Sequence, residues 1–271
     1  MSQNTFAALA ACFLILGAAA CGSPKAQISP QISSSDETLF KEGEKFLKKD
    51  AEKARLYMRQ IIDSFPKSYY AQRAKLAIAD SYFDEGDEGN MILAAAEYRE
   101  FIQLFPYSPA ASYAQYRIAL SFFNKSLKAG RDQQKTQQAM TELKKVLTNY
   151  PLSEEAKQTR DKIKVCEERL AEHTFSIGEQ YYLKHAYKAS TSRLTEILTT
   201  YPTYSGMDKV YYYLGVSYLE WGKADQSIPF LTKLTTDYPN EKLASKAQDR
   251  LKEAQKLAAA QAAAKVPEKK K

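Results

Sequence analysis

Gly178–Pro202 (GEQYYLKHAYKASTSRLTEILTTYP) and Gly215–Pro239 (GVSYLEWGKADQSIPFLTKLTTDYP) are two runs of equal length that end on a tyrosine-proline pair. Three residues after each glycine stands a tyrosine, Tyr181 and Tyr218, and eight before each proline a leucine, Leu194 and Leu231. Three more aromatic-proline pairs lie upstream, Phe65-Pro66, Phe105-Pro106 and Tyr150-Pro151. Proline cannot continue a helix and turns the residue before it away from helical angles, so each pair reads as a helix stop. Steps of 40, 45, 51 and 37 residues between the prolines mark a helical repeat array. Such arrays bury their apolar faces only by stacking, and they serve as binding surfaces.

Counted back from its proline, each run resembles the tetratricopeptide repeat, a helix A–turn–helix B unit with a period of 34 residues. A small residue in helix A admits helix B closely, and the position that family gives to alanine holds Ser190 and Ser227. The earlier repeats show the same signature. Ala54 and Met58 precede Pro66, with Gly43 and Phe46 in helix A. Ala94 and Tyr98 precede Pro106, with Ala79 and Tyr82 upstream. Ala139 and Leu143 precede Pro151, with Ala119 and Phe122 upstream. The turns absorb the insertions, at Asp84–Asn90 in the second repeat and roughly Asn124–Gln134 in the third. Tyr82, Tyr98, Tyr181 and Tyr218 fall at repeat core positions. The expected fold is all-α, a right-handed solenoid of five tetratricopeptide-like helix pairs plus a C-terminal capping helix. The cap is expected over Glu241 to about Ala264, with Asn240 as N-cap.

The amino terminus has a different character. Residues 5–20 are apolar or small, with Phe13-Leu14-Ile15-Leu16 at the centre, and lead into Cys21. That is too short for a membrane span and right for a signal-peptide core. A cysteine at the cleavage point resembles a bacterial lipobox, which implies lipid on Cys21 and, with Gly22 after it, sorting to the outer membrane. Two alternatives stay open, an ordinary secretory signal cut near Ala20 and a lipobox at Leu9–Cys12. Residues 22–36 lack apolar periodicity and read as a tether reaching at most roughly 50 Å. The organisation is therefore 1–20 signal peptide, 21–36 lipidated cysteine and tether, 37–151 repeats one to three, 152–174 connecting helix, 175–264 repeats four and five with the cap, and 265–271 basic tail.

Catalytic chemistry has no foothold. His173 and His185 are the only histidines, with no carboxylate or cysteine at metal-ligand spacing. No phosphate-binding glycine loop and no nucleophile elbow occurs. No catalytic residue, metal or cofactor is expected. Cys166 reads as a small buried residue of a helix. The net charge of +7 arises from interleaved Lys and Glu with a basic tail, which points to a solvated surface and away from nucleic acid. Nineteen tyrosines are the positive signal. In arrays of this kind helices A line the concave face, where tyrosine rings suit an extended peptide, each burying area at low entropy cost while offering a hydroxyl.

The ordered set Arg131-Asp132-Gln133, Tyr150-Pro151-Leu152-Ser153, Leu170-Ala171-Glu172-His173, Tyr181-Tyr182, Ala186–Ala189, Arg193 and Tyr201-Pro202, behind that lipobox, resembles the BamD family. These are the tetratricopeptide lipoproteins of the outer-membrane β-barrel assembly machinery. The resemblance implies a non-enzymatic scaffold on the periplasmic face of the outer membrane, held by its lipid anchor. Its C-terminal repeats would dock the periplasmic domains of the barrel-forming subunit, with Arg193 as the ion-pairing candidate. Its N-terminal repeats would receive unfolded outer-membrane protein segments, with Tyr69, Tyr70 and Tyr113 as candidates for the client strand. The alternative is another lipidated tetratricopeptide adaptor, such as a secretin or pilus pilotin.

Overall fold

A computed structural model describes residues 35–265. The expectations for the signal peptide, Cys21 and the tether up to residue 34 lie outside the described residues, as does the tail from 266. Among the described residues there are eleven helices and no strand. They are α1 Asp36–Glu44, α2 Ala51–Ser64, α3 Tyr69–Glu85, α4 Glu88–Leu104, α5 Ala111–Phe123, α6 Gln134–Asn149, α7 Glu155–Leu183, α8 Tyr187–Thr200, α9 Met207–Glu220, α10 Ala224–Asp237 and α11 Ala244–Lys265. Each packs on the next, and first helices of neighbouring pairs also touch, α1 with α3, α5 with α7, α7 with α9. The result is a solenoid of five helix pairs closed by α11.

The five stops share one geometry. Phe65, Phe105, Tyr150, Tyr201 and Tyr238 all sit at φ between −134° and −129° and ψ between 49° and 60°. Each still donates its N–H to the carbonyl four residues back, at 2.8–3.0 Å. The helix thus completes its last bond and turns away one residue before the proline ring would clash. Helix starts are less uniform. Ser35, Asp50, Ser68 and Asp87 accept from a backbone N–H two or three residues into the helix, while α5 to α10 start without a side-chain cap.

The core is a file of clusters, one at each joint. Leu39, Met58, Ile61 and Ile78 join α1, α2 and α3. Tyr98 and Phe101 of α4 join Ala79 to Ile118. Leu143 and Val146 of α6 meet Cys166 and Leu170 of α7. Leu194 and Ile197 of α8 meet Phe175 and Leu214, and Leu231 and Leu234 of α10 meet Ala247 and Ala254 of α11. Within a pair the approach is close. A Cβ on Gly178 would stand 2.7 Å from Leu194 Cδ2, and one on Gly215 2.5 Å from Leu231 Cδ2. The serines in the alanine position are buried and satisfied: Ser227 Oγ donates to the Gly215 carbonyl at 2.7 Å, and Ser190 Oγ lies 2.9 Å from Ser217 Oγ.

Several expectations need correction. The second-repeat insertion does not form a loop over 84–90; it lengthens both helices to 17 residues and leaves Gly86, at φ 75°, and Asp87 between them. Helix A of the first repeat ends at Glu44, so Phe46 lies in the turn, where its ring still stacks on Tyr57 at 5.8 Å. The capping helix starts at Ala244, because Glu241 N–H bonds Tyr238 O and Ala244 N–H bonds Glu241 O in tight turns that Asn240 does not cap. The connecting segment and the first helix of pair four are one 29-residue helix, α7, about 44 Å long. Tyr181 is exposed, not core, whereas Tyr98 is fully buried and Tyr82 and Tyr218 are half-buried.

Candidate functional site

Two surfaces carry the residues singled out by the sequence. The first is a groove of about 550 Å³ bordered by α1, α3 and α5. Its floor is apolar, with Phe40, Leu47 and Leu76, and its charged lining includes Arg73, Asp80 and Arg117. A second groove, about 560 Å³, lies between α5 and the first turns of α7, over Tyr116 and Leu120 and beside Glu155 and Lys162. Tyr113 and Arg117 line both, as the ridge between them.

That ridge is held from below. Asp80 accepts hydrogen bonds from the hydroxyls of Tyr98 and, at 2.7 Å, Tyr113. Arg117 Nε donates to Tyr98 Oη at 3.0 Å, and its guanidinium reaches Asp80 at 3.5 Å and Asp84 at 3.4 Å while lying 3.6 Å over the Phe83 ring. Burial, reinforced by Asp80, pushes the Tyr113 phenol well above its ordinary value, so it stays a neutral donor. Tyr113 therefore lines the grooves with its hydroxyl already engaged. Tyr69 and Tyr70, the first residues of α3, do not line the groove. They reach its rim through Arg73, whose guanidinium lies 4.2 Å over Phe40 and 5.8 and 5.7 Å from the Tyr69 and Tyr70 rings. Tyr69 is 68% exposed, while Tyr70 packs on Phe40. The structure thus brings Tyr113 to the grooves and sets Tyr69 and Tyr70 beside them. Sequence reasoning that counted tyrosines passed over Arg73, Asp80 and Arg117. The signal for Arg73 and Asp80 is their helical spacing with Asp84 on one face of α3, whereas Arg117 comes from α5 and has no such signal.

The second surface surrounds Arg193 on α8. Arg193 is exposed and pairs with Glu196, one turn on, at 3.3 Å. Its place in the repeat explains the exposure. The residue in register in pair five is Phe230, whose ring stacks on Tyr218 at 5.6 Å and 4°; in pair one Tyr57 stacks on Phe46 in the same way. In pair four that position is an arginine, and Tyr181, in register with Tyr218, has no such ring over it. Pairs two and three hold Glu97 and Glu142 in this register, so the ring is not general to the array; in pair four its absence leaves an exposed tyrosine beside an exposed cation.

Cys166 and His173 are engaged within the fold. Cys166 is fully buried, and burial pushes its thiol up to about 11. His173 Nδ1 lies 2.7 Å from the Ala129 carbonyl and pins the third-repeat insertion to α7, helped by Arg169 on Ser126 Oγ. Among the described residues no cluster of His, Cys, Asp or Glu is placed to hold a metal ion, and no helix is long and apolar enough to cross a membrane.

The sequence profile of the YfiO family, described as "Outer membrane lipoprotein", matches residues 33–223, and a tetratricopeptide-repeat profile matches residues 209–241. Proteins bearing the name "Outer membrane protein assembly factor BamD" align with the chain. One from Rickettsia prowazekii is 28% identical over 242 residues, covering 86% of this chain and 92% of that one. One from Caulobacter vibrioides is 28% identical over 172 residues, covering 63% of this chain and 55% of its own length. One from Neisseria meningitidis is 25% identical over 191 residues, covering 66% of this chain and 70% of the relative. A solved structure, the TPR2AB domain of yeast Sti1 in complex with pHSP90, matches at a TM-score of 0.46 and 15% identity over 84% of this chain and 86% of that one.

Proposed function

The chain belongs to the YfiO family of outer membrane lipoproteins, and from that premise we propose that it is a scaffold subunit of the outer-membrane β-barrel assembly machinery. Its work is binding, not catalysis. The anchor is lipid on Cys21, and the folded array stands on the periplasmic face at the end of its tether. The barrel-forming subunit docks through its periplasmic domains on the C-terminal repeats, with Arg193 as ion-pairing residue. Unfolded outer-membrane protein segments lie along the two N-terminal grooves, across the Tyr113–Arg117 ridge and past Tyr69 and Tyr70.

The observation that carries this reading is the family match over residues 33–223, which spans both surfaces. Two features support the division of labour. The N-terminal grooves are lined by fixed rings and both signs of charge, which suits an extended chain with free backbone groups. Arg193 stands where pairs one and five put a stacking aromatic ring and pairs two and three a glutamate, and its side chain is half exposed.

The test is capture from detergent-solubilised outer membranes by the full, anchored chain. The barrel-forming subunit is expected in the bound fraction, and Arg193→Glu is expected to lower its affinity at least about tenfold, roughly 1.4 kcal/mol. Undiminished binding by that variant would remove Arg193 from the interface. Recovery of a secretin in place of the barrel subunit would replace the assembly role by a pilotin's.

A further inference from the structure

The turns between the helices of pairs four and five are built alike, with one substitution. In pair four the His185 N–H donates to the Tyr182 carbonyl and the Ala186 N–H to the Tyr181 carbonyl, both at 2.9 Å. In pair five Gly222 donates to Leu219 at 3.0 Å and Lys223 to Tyr218 at 2.9 Å. This is the Schellman ending, which needs a residue at positive φ after the helix. Gly222 takes it at 76°, and His185 takes it at 58°. Among the described residues His185 is the one non-glycine residue in that region, at a steric cost that glycine would not incur. A residue held in strain on the surface calls for a reason other than packing.

The imidazole is exposed, with Nδ1 2.7 Å from the Tyr187 hydroxyl. The two stand on one side of a groove of about 600 Å³ between the turns of pairs four and five, lined further by Lys188, Ala189 and Ser192 of α8 and by Trp221 of the next turn. Both aromatic walls are backed by other rings. Tyr187 leans on Tyr182 at 5.8 Å, Tyr182 on Tyr213 at 5.3 Å, and Tyr213 on buried Phe175 at 5.6 Å. Trp221 stacks on Tyr218 at 6.2 Å, and Tyr218 on Phe230. Rings fixed from behind lose little entropy when something covers them, which is how aromatic anchors of interfaces work. The charge around them is positive. Lys188 is in the lining and Lys223 Nζ lies 3.5 Å over the Trp221 ring. No lining residue is a carboxylate; Glu196 and Glu220 on the flanking helices are engaged by Arg193 and Arg250, and Asp225 stands in the first turn of α10, outside the lining.

We propose that this groove takes an apolar or aromatic side chain from an acidic segment of the docked assembly subunit, extending the Arg193 face across the joint between pairs four and five. The proposal rests on the docking role given above to the C-terminal repeats. His185 acts as a positioning residue that holds the Tyr187 wall.

Trp221 is the chain's single tryptophan, so its emission reports on the groove directly. The full chain in detergent is titrated with a tryptophan-free peptide carrying phenylalanine between aspartates and glutamates, and with the same peptide carrying lysines in place of the acids. The acidic peptide is expected to shift Trp221 emission saturably and the basic one to leave it unchanged. Tyr187→Ala and Ala189→Glu are expected to weaken the acidic peptide at least about tenfold. His185→Gly is expected to weaken it as well while raising the thermal midpoint, opposite signs that relief of strain alone would not produce. No shift, equal shifts with both peptides, or a shift that follows the chain's own concentration without peptide would overturn the proposal. Purified periplasmic domains of the barrel-forming subunit should displace the acidic peptide. If the domains bind wild type and Ala189→Glu equally and displace nothing, the groove proposal fails while docking stands. If the peptide binds as expected and the domains do not bind at all, the docking role fails and takes the partner assignment with it.

Discussion

Gly215 shows how little room separates the helices of one pair. A Cβ there would lie 2.5 Å from both Cδ2 and Cγ of Leu231, and Leu231 is itself fully buried. Replacing glycine by alanine inside a helix ordinarily gains about 0.5–1 kcal/mol. Here the forced shift of a core leucine costs more, about 1–3 kcal/mol, so Gly215→Ala is expected to lower the urea midpoint. Gly130→Ala, whose added methyl would meet nothing within 4 Å, is the control and is expected within about 0.5 kcal/mol of wild type. Both close-packed glycines were legible by counting back from their prolines, because the small residue and the leucine it faces recur at the same distance. Tyr181 was not legible as exposed. Its position says core, and only the identity of the residue above it, Arg193 where pair five has Phe230, leaves it open.

At the scale of elements, proline illustrates how context decides. Five prolines follow an aromatic residue that has left helical angles, and the helix ends there. Pro229 sits inside α10 and the helix runs on to Asp237, at the cost of the one hydrogen bond its missing N–H would have given the Asp225 carbonyl. The helices are also joined by partly buried ion pairs, such as the buried Lys75 of α3 between Glu97 and the more exposed Glu100 of α4, at 2.6 Å from each. Glu142 of α6 sits in a similar network that responds to pH. Burial pushes its carboxyl up, but Gln115 Nε2 at 2.9 Å, Lys145 at 3.1 Å and Arg99 at 3.2 Å outweigh that and hold it below the usual carboxylate range. A carboxyl depressed in the folded state stabilises above its unfolded value, about 4.3, and loses that contribution as pH falls through the folded one. Glu142→Gln is therefore expected to lose about 1 kcal/mol near pH 7 and to narrow its gap from wild type as the pH drops below about 4. Urea midpoints measured from neutral to acid pH check this, and a constant gap would remove Glu142 from the acid response. Only the Glu142–Lys145 pair, three residues apart on α6, is readable in the chain, since Arg99, Gln115 and Glu142 come from three helices.

Across the whole molecule, each cluster belongs to one joint, so stability passes from neighbour to neighbour. The helix α11 is the terminal cap. Its Ala247 and Ala254 are fully buried, and with Leu243 and Leu251 they cover Leu219, Leu231 and Leu234. Removal of residues 244–271 is expected to strip hydrogen-exchange protection from α9 and α10 while α1 to α4 keep theirs. Uniform loss of protection would mean that the array unfolds as one unit. The two proposed binding surfaces draw on different pairs of such a chain of neighbours. The proposed client grooves lie over α1, α3, α5 and the start of α7, and the proposed docking face over α8 and the turn before α10.

The sequence by itself determined the helical repeats, their number, the helix stops and the close-packed glycine–leucine pairs, because these depend on backbone geometry and on spacing within forty-odd residues. Tertiary structure alone decided which side chains share a groove: Tyr113 with Arg117 and Asp80, Arg73 at the rim beside Tyr69, His185 and Tyr187 opposite Trp221. It also decided that an insertion became longer helices and that a connecting segment fused with the repeat after it. The physical reason is that a helix stop is a local steric event, whereas a groove forms from residues a full repeat apart. Its shape depends on how far each pair turns against the next, which the packing of both pairs sets together.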